Sequence, residues 1–337
     1  MNFGSIVPLS EIPYLTKADL SGRFLASTLF YDGSDWQMWL QTEQADCFVK
    51  VHAWPAESFY FSAMPENEND LCSEFLNFLA QSANALSVMR RFSAIGDDIF
   101  NLSASLAKLP IFHSSVTASQ GSSRLAATEV EYILFTCRSV FDLLQEVIKE
   151  LWETILLRDM TVRKNALKKS FAEMTLHGSE MRTAEDIAEK YGLPMPLAEC
   201  YAGHAPMFLK IRQFRDDLVH RGHRVQTIFH GETGFLITNS LGSFRDINIW
   251  REPEVIANGL APLAPVLNLI IHGTLAACED FAITLQGTFK WFEPTVPGMR
   301  LHMRGYHVEH LRRAFADADS RLAEGRSLIA GVRHSPA

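Results

Sequence analysis

Cysteine is scarce in this 337-residue chain: Cys47, Cys72, Cys137, Cys200 and Cys278 are scattered, with no C-x-x-C pair. That spacing argues against a zinc ribbon and a disulfide framework, and fits a reducing, cytoplasmic setting. Glycine-rich phosphate loops are also missing: there is no G-x-G-x-x-G, no G-x-x-x-x-G-K and no G-x-S-x-G. P-loop or Rossmann nucleotide use and α/β-hydrolase chemistry are therefore not expected. Positive charge is short, with 31 Lys and Arg against 39 Asp and Glu, a net of -8. A globally basic, non-specific DNA binder is excluded on that balance. The opening MNFGSIVPLSEIPYL lacks the basic start and apolar run of a signal peptide. Residues 255–278 carry no charge, but Asn258, Gly259, Pro262, Pro265, Asn268 and His272 dilute the run, so a buried bundle helix is expected there and no membrane contact.

Apolar residues make up 47% of the chain and charged residues 21%, enough for a sizeable core and inconsistent with disorder. Acid is concentrated early: residues 1–127 have a net charge of -6 and the remainder -2. Two windows are positive, 158–169 and 210–224, so a polyanion is expected to meet the second part of the chain. Residues 22–61 read as aromatic and β-branched strands, and a long helical pattern follows over about 71–109. Pro110 and the Ser/Thr/Gly cluster at 114–123 mark a linker. Beyond it, Val130, Leu134, Cys137, Phe141, Leu144, Ile148, Leu151 and Ile155 alternate in steps of four and three, the seam of a long packed helix.

A basic short helix is expected around 161–174, then a helix opened by Thr183-x-x-Asp186 and closed by Gly192-Leu193-Pro194. A further helix over 205–221 ends at Gly222. Residues 225–230 and 235–239 flank Gly231-Glu232-Thr233-Gly234 as a hairpin, and helices over 260–286 and 306–326 complete the chain. The expected organisation is an acidic β-plus-helix segment over 1–125, a helical bundle over 126–290, and a C-terminal helix and tail over 291–337.

The stretch that carries chemistry is FLKIRQFRDDLVHRG, residues 208–222. On a helical wheel Phe208, Ile211, Leu218 and Val219 define the apolar face, and Arg215 lies about 20° from Phe208 on it. A guanidinium on an apolar seam calls for an anionic partner. His220 is five residues on, about 140° round an ideal helix, so the two converge only where the helix unwinds near Gly222.

Arg215, the polar Asp216 beside it, and His220 after four intervening residues resemble the signature of the HEPN (higher eukaryote and prokaryote nucleotide-binding) superfamily. The helix order agrees over about 126–290. The resemblance implies a mainly α fold: a HEPN-like antiparallel helical bundle with an inserted β-hairpin, here preceded by a small α+β segment. It also implies a metal-independent endoribonuclease acting as a homodimer, with the motif copies facing across a cleft. Such enzymes serve toxin and antiviral defence systems, some with a cognate partner protein.

The chemistry suits the residues. Attack by an RNA 2′-OH needs a proton moved near neutral pH, the task of His220, and a developing negative charge stabilised, the task of Arg215. Asp216 would orient either one. Lys210, Arg212, Arg221 and Arg224 would hold the strand through its phosphates. Glu131, Arg138, Asp142 and Gln145 form one column on the preceding long helix, either supporting the site or making an ordinary solvated edge with an Arg138–Asp142 pair.

The alternative is a non-catalytic HEPN-like interaction or assembly module, with Arg215 salt-bridged and His220 capping a helix end. No cofactor or metal is expected. His220, His223 and His230 lack a completing ligand, and so do His302, His307 and His310. Trp36, Trp39, Trp54 and Tyr60 fit a small core or partner surface better than base stacking, given the acid around them.

Overall fold

The computed structural model describes residues 6–13, 15–21, 25, 27–31, 36–44, 46–51, 57–114, 121–178, 180–220, 228–239 and 247–329; for 27, 29–31, 36, 215–220 and 257 it describes the backbone alone. The chain divides into two compact units, one of residues 1–58 with 304–306, the other of 59–303 with 307–337.

In the first unit, β1 (Ile6–Pro8), β2 (Ser27–Tyr31), β3 (Trp36–Gln41) and β4 (Cys47–Val51) form an antiparallel sheet in the order β1-β4-β3-β2. Trp39 and Phe48 are buried with Leu9 and Ile12 in a small core of its own. Lys50, opposite Trp39 across the sheet, lies 5.7 Å from that ring. Trp39 therefore serves the core; Trp54 lies outside the described residues.

The second unit is mainly helical. It holds eight α-helices among the described residues: α1 (Glu74–Gln81), α2 (Leu86–Ser114), α3 (Ser122–Thr154), α4 (Phe171–Thr175), α5 (Ala184–Tyr191), α6 (Met195–His220), α7 (Ala264–Thr288) and α8 (Val308–Ala323). Small two- and three-stranded pieces accompany them. These are β5 (Ser58–Ser62) with β11 (Arg300–Arg304), β6 (Leu176–His177) with β7 (Glu180–Met181), and β8 (Phe229–His230), β9 (Phe235–Thr238) and β10 (Leu260–Pro262) in the order β10-β9-β8. Helices α1, α2 and α8 share this unit's core with α3, α6 and α7. The contacts divide the chain near residue 58, and the apolar faces of α1, α2 and α8 are buried together with those of α3, α6 and α7.

The α3 seam is buried as its spacing requires: Val130, Leu134, Cys137, Phe141, Leu144, Ile148 and Leu151 are each at most 1% exposed. Full burial of such side chains contributes ~1.5–3 kcal/mol each, which is what holds a helix of this length in one register. α7 is long and apolar enough to cross a membrane by length and composition alone. It is instead largely buried by α1, α3, α6 and α8, with Val266, Ile270, Ile271, Phe281 and Leu285 inside the core.

Local signals explain several boundaries. Thr183 accepts from the Asp186 amide, and the Asp186 carboxylate accepts from the Thr183 amide, a reciprocal cap that opens α5. Gly192 closes it at φ +64°, in the left-handed region; a Cβ there would sit 2.5 Å from the Arg163 carbonyl oxygen.

Three expectations are corrected. The helical pattern over 71–109 is two helices, broken at 82–85, and the second runs through Pro110 to Ser114. α6 begins ten residues earlier than expected, at Met195, with Pro206 inside it. The basic helix around 161–174 is only the five residues of α4, and two cations before it, Arg158 and Lys164, are engaged at other helix ends. Arg158 donates to the Phe289 and Gln286 carbonyls at the end of α7. Lys164 donates to the Trp152 and Ile155 carbonyls at the end of α3. Both cations sit where helix C-termini leave carbonyls unpaired and the dipole is negative.

Candidate functional site

α3 and α6 run antiparallel, and two contacts fix their register. Gln145 accepts from the Tyr201 hydroxyl at 2.7 Å, and the Arg138 guanidinium lies 4.1 Å from the centre of the Phe208 ring. These contacts are seven residues apart on each helix, in opposite directions. One further heptad brings backbone positions 131 and 215 to the same level. Arg215, Asp216 and His220 are the last residues of α6, helical in backbone through His220. Their side chains, with those of Leu218 and Val219, lie outside the described residues, as do Arg221 to Thr227 entirely. The preceding face is as the wheel requires: Phe208 and Ile211 are fully buried.

The column on α3 separates into different roles. Gln145 is fully buried and structural: its amide donates to the Lys168 carbonyl at 2.9 Å while its oxygen takes the Tyr201 hydroxyl. Burial pushes the Tyr201 phenol well above its ordinary value, so it remains a neutral donor. Arg138 is mostly covered and pairs with Asp142 at 3.2 Å, one turn along. Lying over the Phe208 ring, this cation sits between α3 and α6, and Phe208 is seven residues before position 215. Asp142 is the solvent-facing end of the pair. Glu131 is half-exposed, one heptad before Arg138 on α3. On α6, the Lys210 ammonium lies 5.2 Å from the centre of the Phe214 ring, and Arg212 is half-exposed.

A second constellation escaped the sequence reading. At the other end of α6, a groove of about 290 Å³ opens against α7, lined by Pro196, Cys200, His204, Asp280, Ile283 and Thr284. His204 Nε2 lies 2.9 Å from the Asp280 carboxylate. Cys200 and His204 are four apart, a spacing visible in sequence; Asp280 comes from 76 residues on and has no local signal. Burial pushes the Cys200 thiol up to about 12, with Thr284 hydrogen-bonded to it, so it stays protonated at neutral pH and is no nucleophile.

The remaining histidines form no metal centre among the described residues. His302 is on strand β11, buried and stacked on Tyr60 at 5.4 Å. The His307 and His310 rings are 6.2 Å apart at the start of α8. Compared with known proteins, the chain matches no family model, no curated protein and no solved structure.

Proposed function

We propose that the second unit is a HEPN-like helical bundle with an inserted hairpin, and that it cleaves RNA without a metal, as a cytoplasmic homodimer. The observation that carries the reading is the position of the motif: Arg215, Asp216 and His220 are the last residues of a long helix, after α3 and before α7. His220 is the proton-transfer group for the RNA 2′-OH, Arg215 stabilises the charge that develops on the phosphate, and Asp216 orients them. Lys210, Arg212, Arg221 and Arg224 hold the strand on either side. Arg138, over the Phe208 ring and paired with Asp142, adds a cation one heptad from position 215, with Glu131 a heptad further along α3.

A second copy of the chain fits this chemistry. On a helix continuous through His220, Arg215 and His220 project about 140° apart, so a shared cleft lets two copies supply them together. Leu125, Tyr132 and Phe135, exposed by 49%, 41% and 47% along one side of α3, are the apolar surface such a copy would cover. The same 140° separation favours one rival reading: a HEPN-like assembly module that does no chemistry. The cleavage reading places the protein in a toxin or defence system, working alone or with a cognate protein.

The test is cleavage of labelled single-stranded RNA and transfer RNA in excess EDTA by wild type, His220→Ala and Arg215→Ala, all matched for folding by circular dichroism. Cutting by wild type, with each variant reduced at least 100-fold, is the expected result. Binding of RNA or a partner without cutting by any of them selects the assembly module.

A further inference from the structure

His113, in the last turn of α2, and His230, in β8, stack face to face with ring centres 4.1 Å apart and planes 14° from parallel. Each ring bonds to the other's backbone segment. His113 Nε2 lies 2.8 Å from the Gly231 carbonyl oxygen, and His230 Nε2 lies 3.0 Å from the carbonyl oxygen of His113. Phe235 sets its edge or face near-perpendicular to both rings, at 5.6 Å and 5.9 Å. A carbonyl oxygen only accepts, so Nε2 is the protonated nitrogen on both rings in this geometry. Each ring then has one site left for a proton, Nδ1.

We propose that the stacked imidazoles of His113 and His230 form an acid-released clasp, holding the start of the β8–β9 hairpin on the end of α2 at neutral pH and releasing it as both rings become charged. One added proton is compatible with the stack, because an imidazolium rests on a neutral ring and both carbonyl bonds remain. A second proton sets two like charges face to face at 4.1 Å, which the closed form resists and the open form does not.

Among the described residues, the elements packed around the pair carry few groups to offset this. α2 carries Lys108, the first half of α3 carries Arg124, Glu129, Glu131 and Tyr132, the hairpin turn carries Glu232, and β9 carries no charge. Lys108 and Glu129 pair with one another at 3.0 Å, and the ammonium also lies over Tyr132. None of these groups hydrogen-bonds to either imidazole, whose bonds are the two to backbone carbonyls. His113 is half-buried and His230 exposed, so protons from solvent reach them.

The sign follows from proton counting. The open form binds up to two extra protons and the closed form one, so acid favours opening. With one proton more in the open form than in the closed, the open-to-closed ratio rises by at most about ten-fold for each pH unit of acid. In sequence, β8 begins at Phe229, nine residues after His220. The clasp stands whether or not that motif cuts RNA.

Hydrogen exchange on the full chain tests it, corrected for the intrinsic effect of pH, with α7 amides as the internal reference. Amides of 229–238 and of the last turn of α2 are expected to lose protection several-fold between pH 7.5 and 5.5. His230→Phe keeps an aromatic face on His113 but removes one charge, so its protection should not respond to pH. Unchanged protection in wild type, or an equal fall in His230→Phe, overturns the clasp. If that variant misfolds, imidazole NMR titration of wild type decides: two separated steps support the clasp, and two coincident, independent steps overturn it.

Discussion

Arg321 is the residue whose environment makes the sharpest demand on stability. Its side chain is 3% exposed and donates to Glu254 at 2.7 and 2.8 Å, to Asp317 at 3.0 and 3.1 Å, and to the Ile249 carbonyl at 2.8 Å. Replacing it leaves two carboxylates facing each other with no cation between them. Arg321→Met is expected to cost roughly 3 kcal/mol, read as a lower midpoint in urea unfolding. A loss below about 1 kcal/mol would mean that the carboxylates find other partners.

The same corner sets an acid limit. Hydrogen bonds from Arg321 hold Glu254 below the usual carboxylate range, and bonds from Arg251 and Arg326 hold Glu324 down to about 2. Depressed carboxylates stabilise the fold fully above their unfolded value of about 4.3 and lose that contribution as pH falls through the folded value. Stability should therefore fall between about pH 4.3 and pH 2, with a shallower slope in a Glu324→Gln variant, measured by denaturant titration at stepped pH. A wild-type profile flat over that window would contradict the assignment of these pairs.

At the scale of the element, helix ends are where sequence and fold agree best and also where they part. The α5 boundaries are legible because the cap and the stop are local: Thr183 and Asp186 three residues apart, and a glycine at φ +64°. Gly192→Ala should cost roughly 1–2 kcal/mol in thermal unfolding, from left-handed strain and the close approach to the Arg163 carbonyl. An unchanged melting temperature would show that the turn relaxes.

The α3 seam is legible for the same reason, a repeat within one helix. The segment 155–170 is not, because Arg158 and Lys164 read as a basic patch until the carbonyls of α7 and α3 are brought to them. Lys164→Met should accordingly destabilise the fold by roughly 2 kcal/mol without weakening RNA binding, since its ammonium is committed to the α3 terminus. Gln145 likewise reads as a helix edge; its partner Tyr201 is 56 residues away and buries it.

At the scale of the whole molecule, the candidate site was legible as a string, R-D-x-x-x-H, and as an order of helices. The contact of Arg138 with Phe208 needs the α3–α6 register, which no local pattern encodes. The proposed dimer makes its own prediction. Leu125→Glu with Phe135→Glu places charges on the exposed side of α3, so light scattering should find wild type at twice the chain mass and the variant at one. A monomeric wild type at micromolar concentration would remove the shared cleft.

The central claim, RNA cleavage through the 2′-OH by His220 and Arg215, is met most directly by a substrate pair. An RNA and the same sequence with 2′-deoxy sugars are incubated with wild type in excess EDTA, and the product ends are identified by mass. Cutting of the RNA alone, leaving 2′,3′-cyclic phosphates and lost in His220→Ala, is the predicted result. Cutting of both strands, or RNA products that form equally with His220→Ala, would contradict it.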